Sequence, residues 1–301
     1  MNLNFALLND YTFQIVVIGS TLLGIISGTL GCFTVLQKQS LLGDGVSHAT
    51  LPGVVLAFIL TNSKDNSVLL IGAFISGLIS TLVINGITKY SKIKFDSALS
   101  ATLSVFFGFG MALLSYSQKI PNSNQAGLSN FIFGQSASML KKDVYVLLIT
   151  GCVLLFIVFL LWKEFKLLSF DPEYLQTIGF STKKLNILLL TMIVIAIVLG
   201  IQTVGVILMS ALLVSPAVSA RQWTDKLSTM VILSATFGAF SSIMGTMISS
   251  STKNLATGPV IVICASIITA FSVLFAPKRG VFAVIIQRRK NKRNFLKLGV
   301  K

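Results

Sequence analysis

The sequence predicts an all-α protein that crosses a membrane several times, and three observations support this class. Of its 301 residues, 54% are apolar and only 11% are charged, whereas a soluble domain carries about 25% charged residues. The mean hydropathy is +0.87. The apolar residues collect in runs close to the length that an α-helix needs to cross about 30 Å of hydrocarbon.

The runs define the expected helices in order. They lie at 13–36, 44–60, 68–88, 96–117, 144–162, 185–200, 201–220, 227–248 and 258–276. The stretch 185–220 is too long for one span, and Gly200-Ile-Gln-Thr-Val-Gly205 can break it. Two spans there give nine in total, and a single span would give eight.

Basic residues set the expected orientation, because Lys and Arg concentrate on the cytoplasmic side of membrane proteins. With the N-terminus outside and the C-terminus inside, most of the 24 Lys and Arg fall in inside segments. The exceptions are Lys64, Lys119, Lys141, Lys142 and Lys253. Nine spans satisfy this orientation at both ends of the chain. We therefore expect a membrane domain at 1–280 and a basic cytoplasmic tail at 281–301, which we interpret as an anchor to anionic inner-leaflet lipid.

The charge, the motifs and the cysteines of the sequence restrict the possible functions. The formal charge of +15 is explained by the inner-face excess and predicts no nucleic-acid partner. The chain contains no GxxxxGK[ST] motif, so any ATP hydrolysis would need another chain. Residues 1–12 hold no Lys or Arg, so a cleavable signal peptide is not predicted. Cys32, Cys152 and Cys264 lie in apolar runs without CxxC spacing and are expected to pack as small hydrophobes.

The most informative stretch holds the single histidine of the chain, His48, four residues after Asp44. On a helix the two side chains share one face, about 6 Å apart along the axis. Ionisable groups inside hydrocarbon are costly and usually functional. A carboxylate with an imidazole suits Mn(II), Fe(II) or Zn(II). Alternatively, Asp44 caps a helix and His48 bonds to a neighbouring backbone.

Pro52 follows in the same run. Proline cannot donate to the carbonyl four residues back, so a helix through Pro52 would leave the carbonyl of His48 free as a ligand or for a neighbouring helix. Gly43, Gly45 and Gly53 are small enough for another helix to approach closely.

A short helix with both ends specified is expected in the largest inside loop. Asp171 is a good N-cap, Pro172 fits the first turn, and Glu173 suits the positive end of the helix dipole. Gly179 fits the position just after the helix. The apolar side chains expected to dock on one face are those of Tyr174, Leu175 and Ile178. They would contact either a partner or the protein's own inner face.

Three stretches together resemble the membrane permeases of bacterial ABC importers for manganese, zinc and iron. They are Leu42-Gly-Asp-Gly-Val-Ser-His-Ala-Thr-Leu-Pro-Gly53, Phe170-Asp-Pro-Glu-Tyr-Leu-Gln-Thr-Ile-Gly179 and Gly205-Val-Ile-Leu-Met-Ser-Ala-Leu-Leu-Val-Ser-Pro-Ala217. The similarity extends from about residue 12 to Gly280. Such permeases resemble the cobalamin importer permease in fold.

The resemblance implies a multi-pass protein of the bacterial cytoplasmic membrane that acts as a homodimer with two cytoplasmic ATPase subunits. An extracellular metal-binding protein would deliver the ion, for which the polar outside loop 118–143 is a candidate contact; a lid on the membrane surface is the alternative. The helix after Asp171 would couple to the ATPase. Asp44 and His48 would bind the ion, with no resident cofactor. Further residues expected along the path are Ser47, Pro52, Gln202, Met209, Ser210 and Ser215.

The Asp–His pair tolerates all three metals, and metal availability often decides selectivity. Manganese is the first choice of cargo, and zinc or iron the second. Two other classes stay open from the residues alone. One is a secondary cation transporter or channel that uses Asp44 and His48 without an ATPase. The other is an intramembrane enzyme with His48 as base, which is disfavoured because no Ser, Cys or second acid motif accompanies it.

Overall fold

The computed structural model describes residues 11–63, 65–119, 139–252 and 255–288. Every regular element named in this part of the chain is helical. In order the helices are α1 (Tyr11–Leu36), α2 (Leu42–Ala49), α3 (Leu51–Thr61), α4 (Asn66–Tyr90), α5 (Phe95–Ser117), α6 (Lys141–Leu160), α7 (Trp162–Phe170), α8 (Pro172–Thr177), α9 (Thr182–Val204), α10 (Val206–Trp223), α11 (Leu227–Ser251) and α12 (Thr257–Phe275). A further helical stretch covers 281–288. The all-α membrane class is confirmed.

Among the described residues, eight helical segments are long and apolar enough to cross a membrane, with α2 and α3 counting as one. Helix α10 is a further apolar helix of 18 residues. The predicted break inside 185–220 falls at Gly205, which has a φ of +94° that favours glycine. The side chain of Met209 lies against Gly200, so α10 folds back along α9. The split of this stretch into two helices is thus confirmed.

The two ends of the described chain lie on opposite faces. The Lys141 ammonium stands 4.7 Å from the ring of Tyr11 at one face. At the other, which we call the inner face, Lys278 after α12 pairs with Asp225 between α10 and α11. A chain whose two ends lie on opposite faces crosses the membrane an odd number of times. Which face is cytoplasmic stays a prediction from the basic residues.

Helix α1 forms the centre of the bundle. Gly24 meets the backbone of Gly238 on α11, and the hydroxyl of Ser234 donates to the carbonyl of Gly28 at 2.7 Å. Small residues allow such close approach where lipid offers no hydrophobic drive for helix association. On the opposite side of α1, Ile26 packs against Gly151 of α6.

The perimeter is apolar. Helices α4, α6 and α12 expose large side chains such as Ile75, Phe156 and Phe271, as expected for surfaces that face lipid. Helix α5 likewise exposes Val105, Phe109 and Tyr116. Small exposed residues lie among them, namely Ala101, Ser104, Gly108 and Ala112. The expected cytoplasmic tail is described only as far as Arg288, and most of the loop 118–143 also lies outside the described residues.

Candidate functional site

Helix α2 lies at the middle level of the bundle. Val46 and Thr50 pack against Gly77 at the centre of α4, where Val194 at the centre of α9 also packs. At the lower end, Gly43 lies against Ser210 and Leu213 of α10. His48 therefore sits near the centre of the predicted hydrocarbon layer, and Asp44 lies one turn nearer the inner face.

The two side chains meet as their spacing predicts. His48 Nε2 is 3.6 Å from Asp44 Oδ1. The side chains are 25% and 47% exposed, respectively, so the pair opens to the surface of the protomer. The ring of Phe107, at the centre of α5, stands edge-on to the imidazole with a centroid distance of 5.2 Å. This contact limits the orientations of the imidazole, whose Nε2 faces Asp44.

The backbone around the pair is held by hydroxyl groups. Helix α2 ends at Ala49, whose carbonyl accepts a hydrogen bond of 2.6 Å from Ser76 on α4. The Thr50 hydroxyl donates to the carbonyl of Ser47 at 2.6 Å. These bonds satisfy oxygens near Pro52, which has no N–H to offer.

The helical run is interrupted beside His48. Helix α2 ends at Ala49, and Pro52 lies in the first turn of α3 rather than inside a continuous helix. The Thr50 N–H donates to the carbonyl of Val46 at 3.0 Å. The role of the His48 carbonyl, as a ligand or as an acceptor for a neighbouring helix, stays a prediction.

Neither Asp44 nor His48 belongs to a larger ligand cluster. No group of three or more His, Cys, Asp or Glu side chains converges within the described part of one protomer. A divalent transition metal takes four or more ligands. Within the described residues this site thus offers two such side chains, and a complete shell needs further ligands.

The other residues predicted for the path are dispersed. Ser47 is buried and donates to the Gly43 carbonyl, so it faces away from the opening. Pro52 packs against Gly110 of α5, and Met209 is buried against Gly200. Ser210 of α10 contacts Gly43, the residue before Asp44.

Two of these residues occupy separate surroundings. Gln202 lines a cavity of about 750 Å³ between α4, α6 and α9, at the face opposite the inner face. The carbonyl of Ser215 accepts bonds from Ser219 at 2.7 Å and from Thr269 on α12 at 3.2 Å. Phe107, which contacts His48, carries no sequence signal because it is one of 22 phenylalanines in the chain.

The predicted short helix is present as α8 on the inner face. Asp171 caps it by accepting from the Tyr174 N–H at 3.0 Å. Gly179 after it has a φ of +94°, as a left-handed helix end requires. Tyr174 and Ile178 are 54% and 49% exposed. Leu175 is buried in the main core, so it anchors α8 to the bundle and cannot belong to an exposed docking face as predicted.

Comparison with known proteins places this arrangement in a family. The model of the ABC 3 transport family matches residues 9–276. The zinc transport system membrane protein TroC of Treponema pallidum is 46% identical over 284 residues, which cover 94% of this chain and 95% of TroC. The manganese transport system membrane protein MntC of Bacillus subtilis is 43% identical over 291 residues, which cover 95% of this chain and 67% of MntC.

Solved structures have the same fold. PsaBC from Streptococcus pneumoniae in complex with Fab aligns with a TM-score of 0.79 and 31% identity, over 91% of this chain and 95% of the other. A metal-chelate type ABC transporter in an inward-facing conformation aligns with a TM-score of 0.66, over 86% of this chain and 85% of the other. The second pair shares only 13% identity, so that match concerns the fold alone.

Proposed function

The chain belongs to the ABC 3 transport family and is a multi-pass protein of the cytoplasmic membrane; we propose that it is the permease subunit of an ATP-driven importer of divalent transition metal ions. The observation that carries the proposal is the Asp44–His48 pair at the middle level of the bundle. A carboxylate and an imidazole are paired there with a side open to the protomer surface. Such a pair suits a divalent ion.

Manganese is the proposed cargo, with zinc or iron as the second choice. Relatives with high identity are described as manganese or zinc transport proteins, and an oxygen with a nitrogen ligand accepts all three metals. The ion passes through as cargo, so no resident cofactor is proposed.

A homodimer would complete the ion site. Two copies of Asp44 and His48 facing one axis supply up to four ligands, whereas one protomer supplies two. The small exposed residues of α5, including Ser104 and Gly108, border the pair through Phe107 and suit close contact with a second copy. Few protein ligands, with water completing the shell, would bind the ion and still release it.

Two cytoplasmic ATPase subunits are the proposed source of energy, because the chain has no nucleotide-binding motif. The exposed side chains of Tyr174 on α8 and of Ile178 directly after it would fit a groove on such a partner. Leu175 would transmit a movement of α8 to the transmembrane helices, since it is buried in the core that includes α9 and α10. Closure of the ATPases would then alternate the opening of the path. A metal-binding protein would deliver the ion at the opposite face.

The test is transport by the dimer reconstituted in vesicles with its ATPase subunits, measured ion by ion. We expect uptake of manganese that requires ATP, and stimulation of ATP hydrolysis by the transported metal. The alternative is a secondary cation transporter that uses Asp44 and His48. Uptake by the permease alone, driven by a proton gradient and indifferent to ATP, would establish that alternative.

A further inference from the structure

A second site lies on the inner face, away from the Asp44–His48 pair. A cavity of about 480 Å³ separates α7 from the start of α11. Trp162, Lys166 and Phe170 of α7 line one wall. Lys226, Leu227 and Ser228 line the other. The cavity thus combines aromatic and apolar walls with two ammonium groups.

The cavity lies at the level where membrane helices end. Trp162 begins α7 two residues after the end of α6, and Leu227 begins α11. The ring of Trp162 stands edge-on to Phe33 near the end of α1, at a centroid distance of 6.5 Å. Tryptophan is enriched at this boundary between hydrocarbon and headgroups.

An apolar strip of α1 lies above the cavity. Helices α6 and α11 pack on nearly opposite sides of α1, at Ile26 and Gly24 respectively. Between them Ile18 is exposed, and Leu22 and Ile25 are partly accessible. An acyl chain could lie along this strip while its headgroup reaches the lysines.

The charge around the cavity is positive. Among the described residues that line it, the acidic one is Asp225, which already accepts from Lys278 at 3.1 Å and from Arg279 at 2.8 Å. Those hydrogen bonds hold the pKa of Asp225 below its ordinary value. Within the described residues, neither Lys166 nor Lys226 forms an ion pair with a carboxylate. Both are therefore available to an external anion.

The local backbone adds to the positive potential. Lys226 occupies the N-cap position of α11, its side chain accepts no hydrogen bond from the first turn, and that turn contains no acidic residue. A cation at the positive end of a helix dipole is unfavourable, and a bound anion would offset it.

We propose that this cavity binds the headgroup of an anionic glycerophospholipid of the inner leaflet. Its phosphate contacts Lys166 and Lys226, and its glycerol and upper acyl groups contact Trp162, Phe170 and Leu227. The lipid would bridge α7 to α11 and so stiffen the segment that carries α8. This inference needs only the membrane location and not the transport of metal.

An acidic loop of an ATPase subunit is the rival occupant. The position of α8 argues against it, because α8 packs against α7 and α9, whereas the cavity opens on the α11 side of α7. The apolar and aromatic walls at the membrane boundary also fit lipid better than a charged protein loop.

The test is native mass spectrometry of the detergent-solubilised full-length protein during titration with phosphatidylglycerol or phosphatidylcholine. Each lysine near an anionic lipid contributes roughly a fivefold gain in affinity. Lys166→Gln with Lys226→Gln should therefore weaken phosphatidylglycerol binding about 25-fold, whereas the same two positions changed to Arg should preserve it. Lys92→Gln with Lys94→Gln, which removes equal charge elsewhere on the inner face, should leave binding unchanged.

Three results would overturn the proposal. One is wild-type phosphatidylglycerol binding by the double Gln variant. Another is displacement of the lipid by inorganic phosphate at equal concentration, which would indicate a site for free phosphate. The third is loss of ATPase co-purification in the double Gln variant with lipid occupancy unchanged, which would assign the cavity to the protein partner.

Discussion

The contact between α3 and α4 gives the sharpest structural prediction, because it holds the turn that carries His48. A Cβ placed on Gly72 would lie 2.4 Å from the carbonyl oxygen of Gly53 and 2.7 Å from the Cβ of Ala57. Ordinary van der Waals contact begins near 3.4 Å. Gly72→Ala must therefore push α3 away by about 1 Å, and one of the contacting atoms is backbone that cannot rotate aside.

The cost can be estimated from its parts. Overpacking costs about 1–3 kcal/mol. The bond from Ser76 to the Ala49 carbonyl, now 2.6 Å, would lengthen, and such bonds within membranes contribute about 0.6 kcal/mol. Alanine regains up to about 1 kcal/mol of helix preference over glycine. We expect a net destabilisation of about 1–2 kcal/mol, with reduced transport because Ser76 no longer fixes the turn beside His48.

The matched control is Gly86→Ala on the same helix. Nothing lies within 4 Å of a Cβ at Gly86, so only the helix preference acts and stability should rise or stay level. Thermal unfolding, followed by size-exclusion chromatography in detergent, would compare the two variants. Each kcal/mol of lost stability should lower the melting temperature by roughly 2–4 °C. Equal melting temperatures for Gly72→Ala and Gly86→Ala would refute the packing argument.

Three further predictions use the inner face and the topology. Tyr174→Ala with Ile178→Ala should weaken ATPase co-purification while leaving the melting temperature of the permease unchanged, because both side chains are exposed; normal co-purification and transport would remove α8 from the coupling role. A cysteine at Ser251 should react with an impermeant thiol reagent added to intact cells and one at Ser181 should not; labelling of the latter would reverse the orientation. Hydrogen bonds from Lys278 and Arg279 lower the pKa of the Asp225 carboxyl. The stabilisation that Asp225 provides is therefore present above the ordinary carboxyl pKa and is lost only as pH falls through the lowered pKa. Amide-exchange protection of 276–284, corrected for intrinsic rates, should thus be equal at pH 8 and pH 5 and lower in Asp225→Asn, whereas a fall in protection between those two pH values would contradict the pairing.

Much of the architecture could be predicted because each signal was local. Run length and charge gave the helices, and Gly205 gave the break between α9 and α10, since a positive φ there suits only glycine. The capping residues around α8 are likewise a property of a few neighbouring positions.

The features that could not be predicted from the sequence depend on tertiary contacts. Leu175 shares a predicted face with Tyr174, yet it is buried because α8 packs against α7 and α9. The turn beside His48 is held by Ser76 of α4, whose hydroxyl donates to the Ala49 carbonyl from 27 residues away in the sequence. Phe107 lies 59 residues from His48 along the chain and nothing in its neighbours marks it.

The most direct test of the account is metal uptake by Asp44→Asn in the assembled complex. If Asp44 only caps or packs, asparagine should serve nearly as well. If it binds the ion, the lost charge no longer offsets a divalent cation, and uptake of manganese and zinc should fall to background at ordinary concentrations while the dimer still assembles with its ATPase. His48→Gln should behave alike, and Asp96→Asn, at the exposed start of α5, should transport normally. Wild-type uptake by Asp44→Asn at matched protein levels would contradict the proposal that this pair binds the ion.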